Sequence, residues 1–335
     1  MAIAWLLVVL GIVGLVFSAD RFVAGSAALA RNFGISKMVI GLTVVSLGTS
    51  APEIFASLDA TLQGFGIMAV GNAIGSNIVN IGLVLSITAI VVAIPIRRHL
   101  LSQEIPALLG ITAMAGLFLF DGQFRPWEGA VLLVSTIPLI YLMYRVKRAH
   151  PEDVDEEEIP RLATPVACFW FVIGLVLLAV SARLLVNGAD TIAKSFGLSE
   201  LVIGLTVVAI GTSLPELAAS LVSARKGHHD IALGNIIGSN IFNFIIVMSI
   251  PALAGTTTLE PAVFLRDYGG VVVLTLVLVL AMVFEFVRDG GTSRFPHTKP
   301  QIKQSGPKLG RLVGVLLLLC YVGYSVILFH ANQTA

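Results

Sequence analysis

Residues 41–57 read GLTVVSLGTSAPEIFAS, and residues 204–220 read GLTVVAIGTSLPELAAS. The two stretches are identical at 12 of 17 positions. A second pair follows at the same offset of 163 residues, GNAIGSNIVN at 71–80 and GNIIGSNIFN at 234–243, identical at 8 of 10 positions. Because no insertion or deletion separates the copies of either motif, the chain contains an internal repeat.

The composition is that of a membrane protein. Of 335 residues, 56% are hydrophobic and 12% charged, and the mean hydropathy is +0.94. A soluble domain carries roughly 25% charged residues. Apolar segments of about 20 residues recur along the chain, which predicts an all-α, multi-pass protein in a lipid bilayer. The net charge of +1 gives no support for nucleic-acid binding. The first apolar segment lacks a basic leader and is interpreted as a span, not a signal peptide.

Breaks between the apolar segments predict ten transmembrane helices. Their expected bounds are 2–32, 38–62, 67–94, 100–120, 126–146, 164–196, 201–225, 230–252, 262–287 and 308–330. The offset of 163 divides them into a five-helix repeat at 1–146, an acidic cytoplasmic linker at 147–163 and a second five-helix repeat at 164–335. Because five is odd, the second repeat enters the membrane from the opposite side. Inverted repeats with broken helices at the midplane are typical of secondary transporters.

Lysine and arginine predict the orientation. If the N-terminus is outside, sixteen of these residues fall in cytoplasmic loops and three in outer loops. Cytoplasmic loops are the ones enriched in Lys and Arg, so we expect both termini outside. The acidic residues of the linker 147–163 are interpreted as a solvated connection.

The first motif places a proline and an acid inside an apolar span. Pro52 and Pro215 lack the N–H that a helix needs, which predicts a broken helix at each, with the preceding Ser and Thr capping the new helix. Each is followed by a glutamate, Glu53 or Glu216. Charged groups inside a membrane are costly and usually functional. Freed carbonyls, hydroxyls and carboxylates are hard oxygen ligands that suit Ca²⁺ and Na⁺.

The second motif predicts a polar helix face. Asn72, Ser76 and Asn80 recur every four residues, as do Asn235, Ser239 and Asn243. The glycines of each GxxxG step, Gly71 with Gly75 and Gly234 with Gly238, let another helix approach closely. We therefore expect each polar face to lie against a broken helix, and two carboxylates to form one cation site of charge −2.

Other polar groups are assigned no role in transport. Six further acids are expected to be interfacial or paired charges: Asp20, Asp59, Glu104, Glu128, Asp190 and Glu285. The residues from His228 to Asp230 are interpreted as a solvated loop. Cys168 and Cys320 lie in apolar runs and are interpreted as buried, inert thiols.

These motifs resemble the Ca²⁺/cation antiporter superfamily, specifically its Na⁺/Ca²⁺ exchanger branch, over essentially the whole chain. The resemblance implies a secondary antiporter of the plasma (inner) membrane that exchanges Ca²⁺ for Na⁺ by alternating access. We expect no enzymatic activity, no cofactor and no obligate protein partner. The two long helices, the first and the sixth, would slide over the other eight, with Gly25 and Gly188 as close-packing points.

The resemblance also implies a set of ligands. Ca²⁺ would lie between Glu53 and Glu216, completed by the carbonyls of Thr49 and Thr212. The flanking Na⁺ sites and the positions beside them would be formed by Ser50, Ser213, Ser76, Ser239, Asn80, Asn243 and the carbonyls of Ser46 and Ala209.

Two alternatives stay open. A H⁺/Ca²⁺ antiporter could use the same glutamates, although Gly75-Ser76-Asn77 favours Na⁺ over H⁺. A cation channel would need a continuous pore. Some members of the superfamily carry aspartate where this chain has Asn80 or Asn243, and the K⁺-dependent branch resembles that version, so K⁺ co-transport is not expected.

Overall fold

The computed structural model describes residues 1–139, 162–196, 209–289 and 306–333. These residues are almost entirely helical. In the first half of the chain the α-helices are α1 Ala2–Asn32, α2 Lys37–Ile40, α3 Ser46–Thr49, α4 Ala51–Leu62, α5 Gly66–Val79, α6 Ser86–Val91, α7 Ile105–Leu119 and α8 Pro126–Val134. In the second half they are α9 Thr164–Ser195, α10 Ala209–Thr212, α11 Leu214–Arg225, α12 His229–Phe242, α13 Ser249–Ala254, α14 Gly269–Arg288 and α15 Arg311–Gln333.

Wider π-helical turns join several of these helices into single spans. They lie at Gly41–Val45, Asn80–Leu85, Leu100–Glu104, Asn243–Val247 and Val263–Tyr268. The turn that begins at Asn80 has its counterpart at Asn243, and the turn that begins at Leu100 has its counterpart at Val263, each at the repeat offset. Such turns are rare in proteins overall, and those that occur are often part of a functional site. The repeat therefore extends from the sequence to irregularities of the backbone.

The membrane spans agree with the sequence where they are described. Seven described helices are long and apolar enough to cross a membrane, or eight if the bent pair Lys37–Thr49 and Ala51–Leu62 is one span. The fifth and seventh predicted spans run into residues outside the described ranges, as does most of the predicted linker. The protein is thus an all-α multi-pass membrane protein.

The predicted helix break is present in a mild form. The axes of Lys37–Thr49 and Ala51–Leu62 meet at 44°, and Ser50 is the one non-helical residue between them. Ser213 interrupts the second copy in the same way. The predicted serine caps are wrong, because neither Ser50 nor Ser213 makes a side-chain cap hydrogen bond. Ser50 uses its hydroxyl elsewhere, as described below.

Two short antiparallel pairs of strands connect the halves. Ile94–Pro95 (β1) pairs with Lys308–Leu309 (β4), and Gln123–Phe124 (β2) pairs with Thr257–Thr258 (β3). Paired strands lie on the same side of the membrane, so an even number of crossings must separate their members. In the ten-span interpretation six spans separate β1 from β4 and four separate β2 from β3. The strand pairing is therefore consistent with the predicted topology.

The spans differ in how deeply they are buried. In the apolar windows of Gly66–Val91 and His229–Ala254, 72% and 83% of the residues are buried, against 28% in α1 and 22% in α9. The two long helices thus lie at the periphery and face lipid along much of their length. Cys168 on α9 is exposed and Cys320 is half-buried, so the expectation of buried thiols is wrong. The surface that exposes Cys168 is apolar because it is lipid-facing.

Helices α1 and α9 pack against each other through glycine. A Cβ on Gly25 would lie 2.7 Å from the backbone nitrogen of Phe171, and one on Gly188 would lie 2.6 Å from the carbonyl oxygen of Ala4. Gly11 and Gly174 make a second pair of equivalent contacts at 2.7 Å. Real Cβ atoms essentially never come this close to other atoms. The prediction that Gly25 and Gly188 are close-packing points is confirmed.

Candidate functional site

Both glutamates of the repeat are fully buried. Glu53 and Glu216 each have 0% of their surface exposed, and each lies in the first turn of the helix that follows the break. At that position the free backbone N–H groups of a new helix favour a negative charge. The break therefore places each carboxylate where the backbone itself stabilises it, inside an otherwise apolar protein.

A hydrogen bond between the two motifs brings the halves together. The hydroxyl of Ser50 donates to Oε1 of Glu216 over 3.1 Å. Ser50 lies one turn before Glu53 on the same bent span, so the motif of one half directly contacts the carboxylate of the other. The hydroxyl of Thr49 also crosses between the halves and donates to Oδ1 of Asn235 over 3.0 Å. The two copies thus meet at one place in the protein.

The polar helix faces lie against the broken helices, as predicted. Nδ2 of Asn72 donates to the carbonyl of Glu53 over 3.0 Å, and Nδ2 of Asn235 donates to the carbonyl of Glu216 over 3.4 Å. These equivalent bonds hold the backbone of each glutamate against the neighbouring span. Asn72 and Asn235 were expected on the polar face, and the structure adds that they position the glutamates.

The GxxxG prediction is confirmed in one half. A Cβ on Gly234 would lie 2.8 Å from the carbonyl oxygen of Met38, and one on Gly238 would lie 2.5 Å from that of Leu42. In the first half, no atom of the described residues lies within 4 Å of a Cβ at Gly71 or Gly75. The span that begins at Lys37 can therefore approach α12 at backbone distance.

Several buried oxygens of the two repeated motifs lack a hydrogen-bond partner among the described residues. They are both carboxylate oxygens of Glu53, Oε2 of Glu216, Oγ of Ser213, Oγ of Ser239, Oδ1 of Asn243 and Oδ1 of Asn80. A buried polar atom without a partner costs on the order of 1–3 kcal/mol. Oxygens of this kind are the ligands that Na⁺ and Ca²⁺ prefer. The donor set therefore fits a hard cation as cargo.

Most of the remaining predicted ligands are buried, and one of them already accepts a hydrogen bond. Ser46, Thr49, Ser50, Ser76, Ser213, Ser239, Asn80 and Asn243 are all buried, and Thr212 is half-buried. The carbonyl of Ser46 already accepts from the backbone N–H of Ser50 over 2.9 Å. Ala209 begins α10. Among the described residues, three or more His, Cys, Asp or Glu side chains nowhere cluster as a metal site.

One buried contact was missed from the sequence. Nδ2 of Asn243 donates to Oδ1 of Asn77 over 3.2 Å, between the two halves. Asn77 and its counterpart Asn240 are 0% and 1% exposed. Both belong to the repeated GNxxGSN motif but lie off the face defined by the four-residue spacing. The sequence feature that could have pointed to this contact is that both copies of the motif carry asparagine at this position.

Four of the six other acids form ion pairs, as predicted. Asp20 binds Lys226 at 2.6 Å, Asp190 binds Lys194 at 3.0 Å, Glu128 binds Arg125 at 3.2 Å and Glu285 binds Arg288 at 2.5 Å. Glu104 lies 3.3 Å from His99, and Asp59 accepts from Gln63.

The interpretation of His228–Asp230 as a solvated loop is wrong. His228 is 2% exposed, and Asp230 is buried and forms an ion pair with Arg97 at 3.0 Å. Burial, together with the positive charges of Lys37 and Lys226, lowers the pKa of His228 from 6.5 to about 4. This segment therefore packs against the charged loop ends on its own side of the membrane.

Comparison with known proteins places the chain in a family. The family model described as "Sodium/calcium exchanger protein" matches residues 3–145 and 166–330. The chain is 43% identical to the putative antiporter CaxA of Alkalimonas amylolytica, covering 99% of this chain and all of that one. It is 37% identical to the inner membrane protein YrbG of Escherichia coli K12, covering 98% of each.

A solved structure supports the same family assignment. The sodium-calcium exchanger NCX_Mj, soaked without Na⁺ and Ca²⁺, is 34% identical and superposes with a TM-score of 0.77, over 96% of this chain and 98% of that one. Both repeats, and both copies of each motif, fall inside the matched region. The chain therefore belongs to the sodium/calcium exchanger protein family of membrane cation antiporters.

Proposed function

We propose that this protein exchanges Ca²⁺ for Na⁺ across the membrane by alternating access, with a central Ca²⁺ site between Glu53 and Glu216. The observation that carries the proposal is the hydrogen bond from Ser50 to Glu216. It connects the two acidic motifs across the halves and leaves three of the four glutamate oxygens without a partner among the described residues. Two carboxylates carry a charge of −2 when ionised, which one Ca²⁺ neutralises.

Na⁺ would occupy sites on either side of Ca²⁺. Ser213 and Ser239 each present a buried hydroxyl oxygen that lacks a hydrogen-bond partner in the described part of the chain. Neutral oxygens of this kind suit a monovalent ion, because they add ligands without adding charge. Several Na⁺ ions could therefore replace one Ca²⁺ against the same pair of carboxylates. This interchangeability is the physical basis of antiport.

The family and its relatives support this assignment. NCX_Mj and the exchanger MaX1 of Methanosarcina acetivorans, 26% identical over 97% of this chain, are both described as sodium/calcium exchangers. We further propose that both termini lie outside, with the loops carrying β1 and β4 in the cytoplasm. A plasma-membrane location, the absence of enzymatic activity and independence from other proteins belong to the same proposal.

The test is ⁴⁵Ca²⁺ uptake into vesicles that contain the purified full chain. Vesicles loaded with Na⁺ and diluted into K⁺ medium should take up Ca²⁺, whereas K⁺-loaded vesicles should not. A Gln123→Leu variant, changed in an exposed residue of β2, is the control for a substitution outside the site and should behave as the unmodified protein. Uptake driven by an outward H⁺ gradient instead of Na⁺ would replace this proposal with proton-coupled antiport.

A further inference from the structure

The residues of the proposed cation site occur in both copies of the repeat. Some hydrogen bonds between the halves, however, are formed by one copy and not by its equivalent. Within each half, the bond from the asparagine to the glutamate carbonyl is present in both copies, as Asn72 to Glu53 and Asn235 to Glu216. Between the halves the pattern differs. Two cross-half contacts, one Ser–Glu and one Asn–Asn, each have a counterpart at the repeat offset, and in both cases the described residues make only one member of the pair.

The glutamates show this first. Ser50 donates to Glu216. The equivalent bond would join Ser213 to Glu53, but Oγ of Ser213 and both carboxylate oxygens of Glu53 are buried and without a hydrogen-bond partner within the described ranges. Both groups needed for the second bond are therefore present in the same protein, and the bond is not formed.

The asparagines repeat the pattern. Asn243 donates to Asn77 over 3.2 Å. The equivalent bond would join Asn80 to Asn240. Instead, both side-chain polar atoms of Asn80 lack a partner among the described residues, as does Oδ1 of Asn240, and Nδ2 of Asn240 donates to the carbonyl of Ile236 in its own helix. In both contacts, one of the two bonds that the repeat makes equivalent is formed and the other is not.

We propose that Asn77 and Asn240 are positioning residues that act in alternation. In the arrangement seen here, Oδ1 of Asn77 accepts a hydrogen bond from Nδ2 of Asn243. This bond fixes the orientation of the Asn243 carboxamide and leaves its Oδ1 free for a cation. In the arrangement open to the other side of the membrane, Asn240 does the same for Asn80. Asn77 and Asn240 do not themselves bind the ion.

The pseudo-symmetry provides the second arrangement. Inverted halves that are equal in sequence at these positions can exchange their roles, so the bonds missing from one arrangement become the bonds of the other. A carboxamide presents either an oxygen or an N–H₂ group to a cation, and only the oxygen is a ligand. A fixed orientation is therefore required for binding. This inference rests on the proposed alternating-access exchange.

The experiment compares the two faces of the membrane. Right-side-out and inverted vesicles are prepared from cells that express the full chain, and the KM for Ca²⁺ is measured in each with saturating Na⁺ on the opposite side. The variants are Asn77→Leu and Asn240→Leu, which keep the volume and remove the polar atoms. Asn187→Leu, at an exposed position of α9, is the control for an Asn-to-Leu change away from the buried contacts.

A hydrogen bond of this kind contributes about 0.5–1.5 kcal/mol, which corresponds to roughly a two- to twelvefold change in KM. We expect Asn77→Leu to raise KM by about that factor at one face and Asn240→Leu at the other. Equal changes at both faces, or no change, would overturn the inference, because a merely structural role has no preferred side. Failure of the unmodified chain to exchange Ca²⁺ for Na⁺ would instead overturn the proposed function.

A second measurement uses the chemistry of Asn243. A carboxylate has two equivalent oxygens and needs no orienting partner. Asn77→Leu should therefore raise KM in the native background but have little effect when combined with Asn243→Asp. Where Asn77→Leu fails to accumulate in the membrane, Asn77→Ser, whose hydroxyl is too short to replace the amide, takes its place in both backgrounds. An equal effect in the two backgrounds would contradict a positioning role.

Discussion

The contact between α1 and α9 allows a prediction worked from distances. A methyl group added at Gly25 would lie 2.7 Å from the backbone nitrogen of Phe171 and 2.9 Å from the carbonyl oxygen of Ala167. Non-bonded heavy atoms pack best at about 3.5–4.0 Å, so the two helices would have to separate by about 1 Å. Both neighbours are backbone atoms and cannot turn aside as a side chain can.

Overpacking of this kind costs about 1–3 kcal/mol. In contrast, Gly323 on α15 has no atom of the described residues within 4 Å of an added Cβ. Replacing an open helical glycine by alanine stabilises a helix by about 0.5–1 kcal/mol. We therefore expect Gly25→Ala to unfold at a lower temperature than the unmodified protein, and Gly323→Ala at an equal or higher temperature.

The assay is thermal unfolding of the purified protein in detergent, followed by intrinsic fluorescence. Gly188→Ala, at the equivalent position of α9, should behave as Gly25→Ala does, since its Cβ would lie 2.6 Å from the carbonyl oxygen of Ala4. Melting temperatures for Gly25→Ala and Gly188→Ala that match that of Gly323→Ala would refute the close approach of the two long helices.

Three further predictions concern charge. Glu53→Gln should abolish Na⁺-driven ⁴⁵Ca²⁺ uptake. It should leave the melting temperature unchanged or raised, because it removes a buried carboxylate that lacks a hydrogen-bond partner among the described residues. Uptake within twofold of that of the unmodified protein would argue against a central role for Glu53. Asn243→Asp adds a third acid and should shift the Na⁺ concentration for half-maximal exchange at least severalfold; an unchanged Na⁺ curve would place residue 243 outside the ion sites. Burial lowers the pKa of His228 from 6.5 to about 4, so between these values the unfolded chain binds more protons and stability falls as the pH falls. His228→Gln should flatten that slope in melting experiments at pH 4 to 7, and equal slopes would show that other groups cause the acid sensitivity.

The sequence predicted much of the fold because the repeat and the lipid impose strong constraints. Spans of about 20 apolar residues have few alternatives in a bilayer, and the bend at Pro52 follows from its missing N–H. The capping role of Ser50 was predicted wrongly, because a local rule cannot anticipate a partner 166 positions away in the chain. The burial of His228 escaped notice for a similar reason. Its neighbour Lys37 lies 191 positions earlier in the chain.

The bonds formed by one copy and not by its equivalent are beyond any prediction from sequence, since the two copies carry the same residues at every position involved. That identity has an energetic consequence. If each arrangement makes one Ser–Glu and one Asn–Asn bond between the halves, these contacts favour neither arrangement, and a small difference in cargo binding can shift the equilibrium. A change in one copy should upset this balance, and a matching change in the other should restore it.

The double variant Asn77→Leu with Asn240→Leu tests this reasoning. Each single variant should skew the ratio of the KM values for Ca²⁺ at the two faces, in opposite directions. The double variant should bind Ca²⁺ more weakly at both faces and return the ratio close to that of the unmodified protein, because both arrangements then lack their Asn–Asn bond. A ratio that remains as skewed as in either single variant would mean that the two contacts are not equivalent, and that the balance between the arrangements comes from elsewhere in the protein.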